Sequence, residues 1–387
     1  MRVIIYTGKG GVGKTSTAAA TGVNLADRGC KTLVISTDLA HSLSDSFGIE
    51  LNHNSKKISD NLYGMELNPQ TQLENKWDSI YNYLVDFMKV IGLKDVFAEE
   101  LTMFPGIEEL FSLMEIYDQY CHGEYQALIL DFPPTASTIR LLSFFDIVAW
   151  YMEKFFKFER RSTKVIRTFT KSIMDFPLPE DDVFEAFEEI YQKMEQTKEI
   201  LTNAEITSVR LVMNPEEMVI NESQRAYTYL NLYGFNVDTI IVNKLLPAGL
   251  NGDFYQKTFH RQQENMKKVK NIFHSLDLFT IHLLSEELKG LDNLKEISKG
   301  IYNGQNPLTV FNQLQTVELE KEDKQYIYKL YMPFIKKEKF RIYQKGGVLI
   351  LKVGSYKQKS YLPQVLSNKQ VVKASYKEDF LHIYFTG

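Results

Sequence analysis

The chain has 387 residues, far beyond the roughly 40 below which disulfides or metals must substitute for a hydrophobic core. Hydrophobic residues make up 44% and charged residues 24%, a globular balance that excludes collagen-like, disulfide-rich and long disordered classes. A formal net charge of -4 carries no basic excess of the kind that marks nucleic-acid binders, so no nucleic-acid partner is expected. The charge is unevenly spread. From Glu320 to Gly387 there are 14 Lys and Arg against 6 Asp and Glu, a net +8, which leaves -12 in the preceding residues and points to two units with different jobs. Two cysteines, Cys30 and Cys121, make neither a disulfide framework nor a CxxC metal half-site. With no secretory leader and no run of 18 apolar residues, the expected location is cytoplasmic.

Short, β-branched apolar runs recur at Val3 to Thr7, Thr32 to Ser36, Ala127 to Leu130, Ser208 to Met213 and Thr239 to Val242, each followed by a stretch of helical period. Buried parallel strands read this way, so the fold class is α/β with a doubly wound, mainly parallel sheet over residues 1–315. About 70–122 and 141–203 the pattern changes to helical stretches crowded with Phe, Met, Tyr and Leu, read as a helical insert broken at Pro177 and Pro179. The charged segment Thr316 to Asp323 reads as a linker. Beyond it, alternating runs at Tyr326 to Leu330, Lys339 to Tyr343, Val348 to Val353, Gln370 to Ser375 and Leu381 to Phe385, with turns at Gly346-Gly347 and Lys377-Glu378-Asp379, predict a small antiparallel β-sandwich over 324–387.

One motif carries chemistry. Gly8-Lys9-Gly10-Gly11-Val12-Gly13-Lys14-Thr15-Ser16 fits G-x-x-x-x-G-K-[ST] between the first strand and a helix. Glycines let consecutive backbone N–H groups close around a β-phosphate, Lys14 reaches the β/γ oxygens, and Thr15 offers its hydroxyl to Mg2+. The expected cofactors are therefore ATP and Mg2+, and only one such loop is present.

With Lys9 before the glycine pair, the loop resembles that of the deviant phosphate-loop ATPases, in which the extra lysine reaches a partner's nucleotide. That resemblance implies a homodimer around two nucleotides. Ser36-Thr37-Asp38-Leu39-Ala40-His41-Ser42-Leu43-Ser44-Asp45-Ser46-Phe47-Gly48 is similar to the switch I signature D-P-A-H-S/N-L-x-D-x-F of the arsenical pump and tail-anchored-protein targeting ATPases, with Leu39 in place of proline. The family implies that Asp45 orients the attacking water, that Asp38 holds the Mg2+ shell through water, and that Lys9, Lys14 and Asp45 are catalytic. Asp131-Phe132-Pro133-Pro134-Thr135-Ala136-Ser137-Thr138 resembles its switch II, D-T-A-P-T-G-H-T, with Asp131 toward Mg2+ through water. Ala136-Ser137 stand where the family has Gly-His, which implies a stiffer switch.

Downstream, Asn214-Pro215-Glu216 resembles a segment whose glutamate approaches the nucleotide across the interface, and Ile241-Val242-Asn243-Lys244-Leu245-Leu246 resembles V-N-Q-L-L, whose asparagine reads adenine. Ile281 to Gly290 is similar to a later loop beside the base, and Phe104 to Leu110 to a helix entry in the insert. In targeting members that insert forms a groove for a hydrophobic membrane-protein segment, and Phe144, Phe145, Trp150, Met152, Phe155 and Met174 supply similar side chains here. No zinc site is expected, because the CxxC that clamps eukaryotic targeting dimers is absent, as are the cysteine triplets of arsenical pumps. The tail is similar to the small heat-shock, α-crystallin-like domain of some relatives, and its net +8 also suits an anionic membrane partner. The implied function is a dimeric ATPase that couples hydrolysis to rearrangement of the insert. Two alternatives are an ATP-gated holdase and a ParA/MinD-type positioning ATPase, the latter disfavoured by a chain that ends in strands.

Overall fold

The computed structural model describes residues 1–38, 42–67, 107–135, 138, 181–249, 251–284, 289–314, 316–322, 325–334, 340–353 and 356–386. In chain order the elements are β1 (Arg2–Thr7), α1 (Lys14–Asp27), β2 (Thr32–Ser36), α2 (Ser42–Phe47), β3 (Lys56–Ser59), β4 (Leu62–Glu66), α3 (Ile107–His122), β5 (Ala127–Asp131), α4 (Asp181–Thr202), β6 (Thr207–Met213), α5 (Glu217–Leu232), β7 (Val237–Leu245), α6 (Asp253–Ile272), β8 (Asp277–His282) and α7 (Leu291–Ile301). The tail adds β9 (Val317–Glu322), β10 (Gln325–Tyr331), β11 (Phe340–Lys345), β12 (Val348–Val353), β13 (Tyr356–Tyr361), β14 (Gln370–Lys377) and β15 (Phe380–Thr386).

Eight strands form the central sheet in the order β3-β4-β2-β5-β1-β6-β7-β8, parallel throughout except for the β3–β4 hairpin. Strands β2, β5 and β6 are buried along their whole length, which is why they read as continuous apolar runs and not as alternations. The chain leaves β1 to one side toward β2 and returns through β5 before continuing on the other side with β6. The carboxyl end of β1 is thus the topological switch point, where open α/β sheets place ligands. Under the sheet, Arg210 is fully buried beside Asp238 (3.5 Å), bonds the Tyr302 hydroxyl (2.9 Å) and the Pro307 carbonyl (2.6 Å), and so ties the segment after α7 to β6 and β7.

The fold divides into two compact units, residues 1–66, 125–139 and 201–387 in one, and 67–124 and 140–200 in the other. In the second unit α3 and α4 are helical as the sequence predicts, joined by Lys193–Asp118 (3.4 Å). The aromatic residues expected to line a client groove, from Phe144 to Met174, lie outside the described residues, as do Pro177 and Pro179.

The tail is a sandwich of a four-stranded sheet, β14-β15-β10-β9, and a three-stranded sheet, β11-β12-β13, all antiparallel. Leu330, Leu381, Ile383 and Phe385 of the first sheet meet Leu349, Leu351 and Val353 of the second in one core. Glu378 and Asp379 both have positive φ, 53° and 62°, which gives the tight β14–β15 turn. The expected linker Thr316 to Asp323 is corrected, because Val317–Glu322 is strand β9, paired with β10. Its acidic residues face a cation, with Lys329 bonded to Glu320 and 3.8 Å from Glu318, so cross-strand pairing makes a strand of a segment that charge alone reads as linker.

The sandwich is seated on α5. Tyr227 of α5 is almost fully buried, with its ring 5.9 Å from Phe273, 6.3 Å from Tyr331 and 6.1 Å from Phe334. Thr228 donates to the Pro333 carbonyl, and Leu232 completes the core of the sandwich itself.

Candidate active site

Backbone crowding at the end of β1 sets the shape of the loop that follows. A Cβ on Gly8 would sit 2.1 Å from the Val212 carbonyl oxygen of β6, so only glycine can leave the sheet there. Gly13, at φ +92°, turns the chain into α1, and a Cβ would fall 2.2 Å from Asn243 Nδ2. No side chain caps α1, which leaves the N–H groups of its first turn free to bind an anion. Lys14 opens that helix with only 6% of its surface exposed, and among the described residues it forms no ion pair. Burying an ammonium short of a direct ion pair is costly and favours an anionic ligand.

Thr15 Oγ1 donates to Asp131 Oδ2 at 2.7 Å and lies 3.1 Å from Ser42 Oγ, while Ser36 Oγ approaches the same carboxylate oxygen at 3.4 Å. Asp131 Oδ1 is buried with no hydrogen-bond partner among the described residues. Burial pushes the Asp131 carboxyl up to about 7, against the pull of the Thr15 hydroxyl and the Lys14 ammonium. An orphaned buried oxygen beside a threonine hydroxyl fits a divalent cation, whose charge would offset the desolvation and hold the carboxylate ionised. Thr15 and Asp131, with Asp38 nearby at the end of β2, are the residues that would hold it.

Helix α2 is anchored by a residue that the sequence reading missed. Glu66, 3% exposed at the end of β4, accepts the Leu43 N–H (3.0 Å) and Ser44 N–H (2.8 Å) on Oε1 and the Ser44 hydroxyl (2.8 Å) on Oε2. It thereby fixes α2, which carries Asp45 on its exposed side. Glu66 and Asp131 flank Ser36 at one register position across β4, β2 and β5. The only signal in the sequence is an acidic residue closing a short apolar run, Leu62 to Glu66. The Asp38 N–H rests on Ser36 Oγ at 3.3 Å, and Leu39 to His41 fall outside the described residues.

Residues 1–303 match the family model of the anion-transporting ArsA ATPases. The chain belongs to the ArsA ATPase family. Residues 323–385 match the HSP20-like domain found in ArsA proteins. Relatives include a putative arsenical pump-driving ATPase 1 of Aquifex aeolicus, 37% identical over 396 residues with both chains fully covered. A putative arsenical pump-driving ATPase of Chlorobaculum tepidum is 36% identical over 391 residues, all of this chain and 96% of the relative. An ATPase get3 of Pyrenophora tritici-repentis is 27% identical over 306 residues, 77% of this chain and 90% of that one. The chain is thus an ArsA-family ATPase with an HSP20-like domain.

Within this family frame the structure brings Gly8 to Ser16, Thr15, Ser36, Ser42, Asp131 and Asn243 together at the carboxyl edge of the sheet. Asn243 is 5% exposed and donates to the Val12 carbonyl at 2.8 Å while accepting the Lys244 N–H at 2.7 Å. One donor and one acceptor site of its amide remain. Glu216 is the exposed residue that precedes α5. Among the described residues the side chains of Lys9, Asp45 and Glu216 form no hydrogen bond or ion pair, so the fold does not join these three to the Lys14–Thr15–Asp131 cluster. Cys30 is buried and Cys121 exposed. No described helix is long and apolar enough to cross a membrane.

Proposed function

We propose that this ArsA-family chain binds ATP with Mg2+ at the phosphate loop and hydrolyses it as a homodimer in the cytoplasm. The observation that carries the reading is the Thr15–Asp131 pair, with the orphaned Asp131 Oδ1, set beneath an uncapped helix N-terminus and a buried Lys14. When bound, Mg2+ would supply charge neutralisation for the phosphates, held by the residues named below. Backbone N–H groups of residues 10–15 and the Lys14 ammonium bind and orient the triphosphate, and Thr15, Asp38 and Asp131 hold the metal with its water shell. Asp45 positions the attacking water, and Glu66 keeps the helix bearing Asp45 in place.

Homodimerisation is supported by the single phosphate loop per chain and by the unengaged side chains of half-buried Lys9 and exposed Glu216, which a second copy would bring to the other nucleotide. In this reading turnover drives rearrangement of the helical insert for handling a hydrophobic membrane-protein segment. Some relatives are named for driving arsenical pumps, but with two cysteines the chain has no three-thiolate metalloid site, and arsenite should not stimulate it. Steady-state phosphate release from ATP tests the reading: magnesium-dependent activity that disappears in Lys14→Ala supports it, and activity indifferent to Lys14 or to chelation of magnesium would overturn it.

A further inference from the structure

Strand β7 breaks its pairing with β8 just where it passes the phosphate loop. The register shifts between Val242 and Leu245, so Asn243 and Lys244 bulge out of the ladder. Lys244 takes φ +59°, a left-handed backbone that long side chains rarely adopt and that persists only when its surroundings hold it. Its surroundings do so. The Lys244 N–H is held by Asn243 Oδ1 (2.7 Å), its carbonyl accepts from Gln262 Nε2 (3.0 Å), and Gln262 Oε1 takes the Leu246 N–H (2.8 Å).

The side chains aimed by this bulge grip two successive carbonyls of the loop. Asn243 Nδ2 donates to Val12 O at 2.8 Å, and the Lys244 ammonium donates to Gly11 O at 2.7 Å. In a trans peptide the carbonyl and the next N–H point in opposite directions. Holding Gly11 O and Val12 O from the β7 side therefore aims the Val12 and Gly13 N–H groups away from β7, and it keeps two carbonyl oxygens from turning toward an anion. We infer that Lys244 is a positioning residue for ATP, preorganising the phosphate loop through Gly11. Its ammonium also brings a positive charge to a loop that binds phosphates. Glutamine, found at this position in the family segment V-N-Q-L-L, is neutral and one bond shorter in reach.

The inference rests on the loop being the nucleotide site, and the experiment separates the two. ATP affinity is measured with magnesium on the full chain for wild type, Lys14→Ala, Lys244→Met, Lys244→Gly and Lys244→Arg, each with its thermal midpoint. Lys244→Gly keeps the left-handed turn without strain while removing the whole side chain, and Lys244→Met removes the ammonium but keeps most of the stem. Lys244→Met and Lys244→Gly are expected to bind ATP about three- to tenfold more weakly, with an unchanged or higher midpoint in the glycine variant and recovery in Lys244→Arg. The loss should appear in KM more than in kcat. Wild-type affinity in both the Met and Gly variants, or a loss that tracks the thermal midpoint and is not recovered by arginine, would overturn the role of Lys244. Equal affinity in wild type and Lys14→Ala would overturn the nucleotide-site reading itself.

Discussion

The carboxyl edge of the central sheet and the seat of the sandwich on α5 are both built from residues far apart in the chain, by opposite chemistries. At the sheet edge, Thr15, Ser36, Ser42 and Asp131 meet through hydrogen bonds, Glu66 and Asn243 bond the adjoining Ser44 and Val12, and one oxygen, Asp131 Oδ1, has no partner among the described residues. On α5, Tyr227, Phe273, Tyr331 and Phe334 meet ring against ring, 5.8 to 6.3 Å apart. The orphaned oxygen at the sheet edge costs stability and fits a ligand, whereas the aromatic cluster on α5 adds stability through buried rings, even though the Tyr227 hydroxyl within it also lacks a partner among the described residues. Variants should therefore separate: the first region governs activity with little change in melting, the second governs melting with little change in chemistry.

The largest effect is expected in Lys14→Ala, which should lower phosphate release by more than about 100-fold while the thermal midpoint holds or rises, because a desolvated charge is removed. A large fall in the midpoint would break the contrast on the polar side. Asp45→Asn should retain ATP affinity and lose about 100-fold in turnover, measured by single-turnover hydrolysis. Intact turnover would remove Asp45 from the reaction. Tyr227→Ala should cost about 3–5 kcal/mol in denaturant unfolding with kcat per folded molecule near wild type. An equally large loss of kcat would mean that α5 couples the sandwich to the site and that the two regions are not separable.

Glu66→Ala sharpens the comparison because it touches both properties. It leaves the Leu43 and Ser44 N–H groups without their acceptor, so a loss of about 2–3 kcal/mol should accompany a lower kcat with ATP affinity largely kept. Phe334→Ala, at a 38% exposed ring, should cost only about 1 kcal/mol and leave turnover alone.

The same contrast explains what could be read from sequence. The strands flanking the loop were legible because buried parallel strands are continuous apolar runs, and the loop because phosphate binding demands glycines and a lysine at fixed spacing. Strands β8 and β13 and the β3–β4 hairpin were not foreseen. Lys56–Ser59 and Tyr356–Tyr361 are polar segments whose pairing comes from their neighbours, and β9 was hidden by its charge. Glu66 and Lys244 escaped for a related reason: each acts on a backbone that approaches only in three dimensions, 22 or more residues away in sequence. The seat of Tyr227 had no periodicity to announce it.

The most direct test of the account is the solution mass of Asp45→Asn with saturating ATP and magnesium, measured by light scattering. One phosphate loop per chain and the unengaged Lys9 and Glu216 predict twice the 44.9 kDa of the chain. A single-chain mass with nucleotide bound would contradict it.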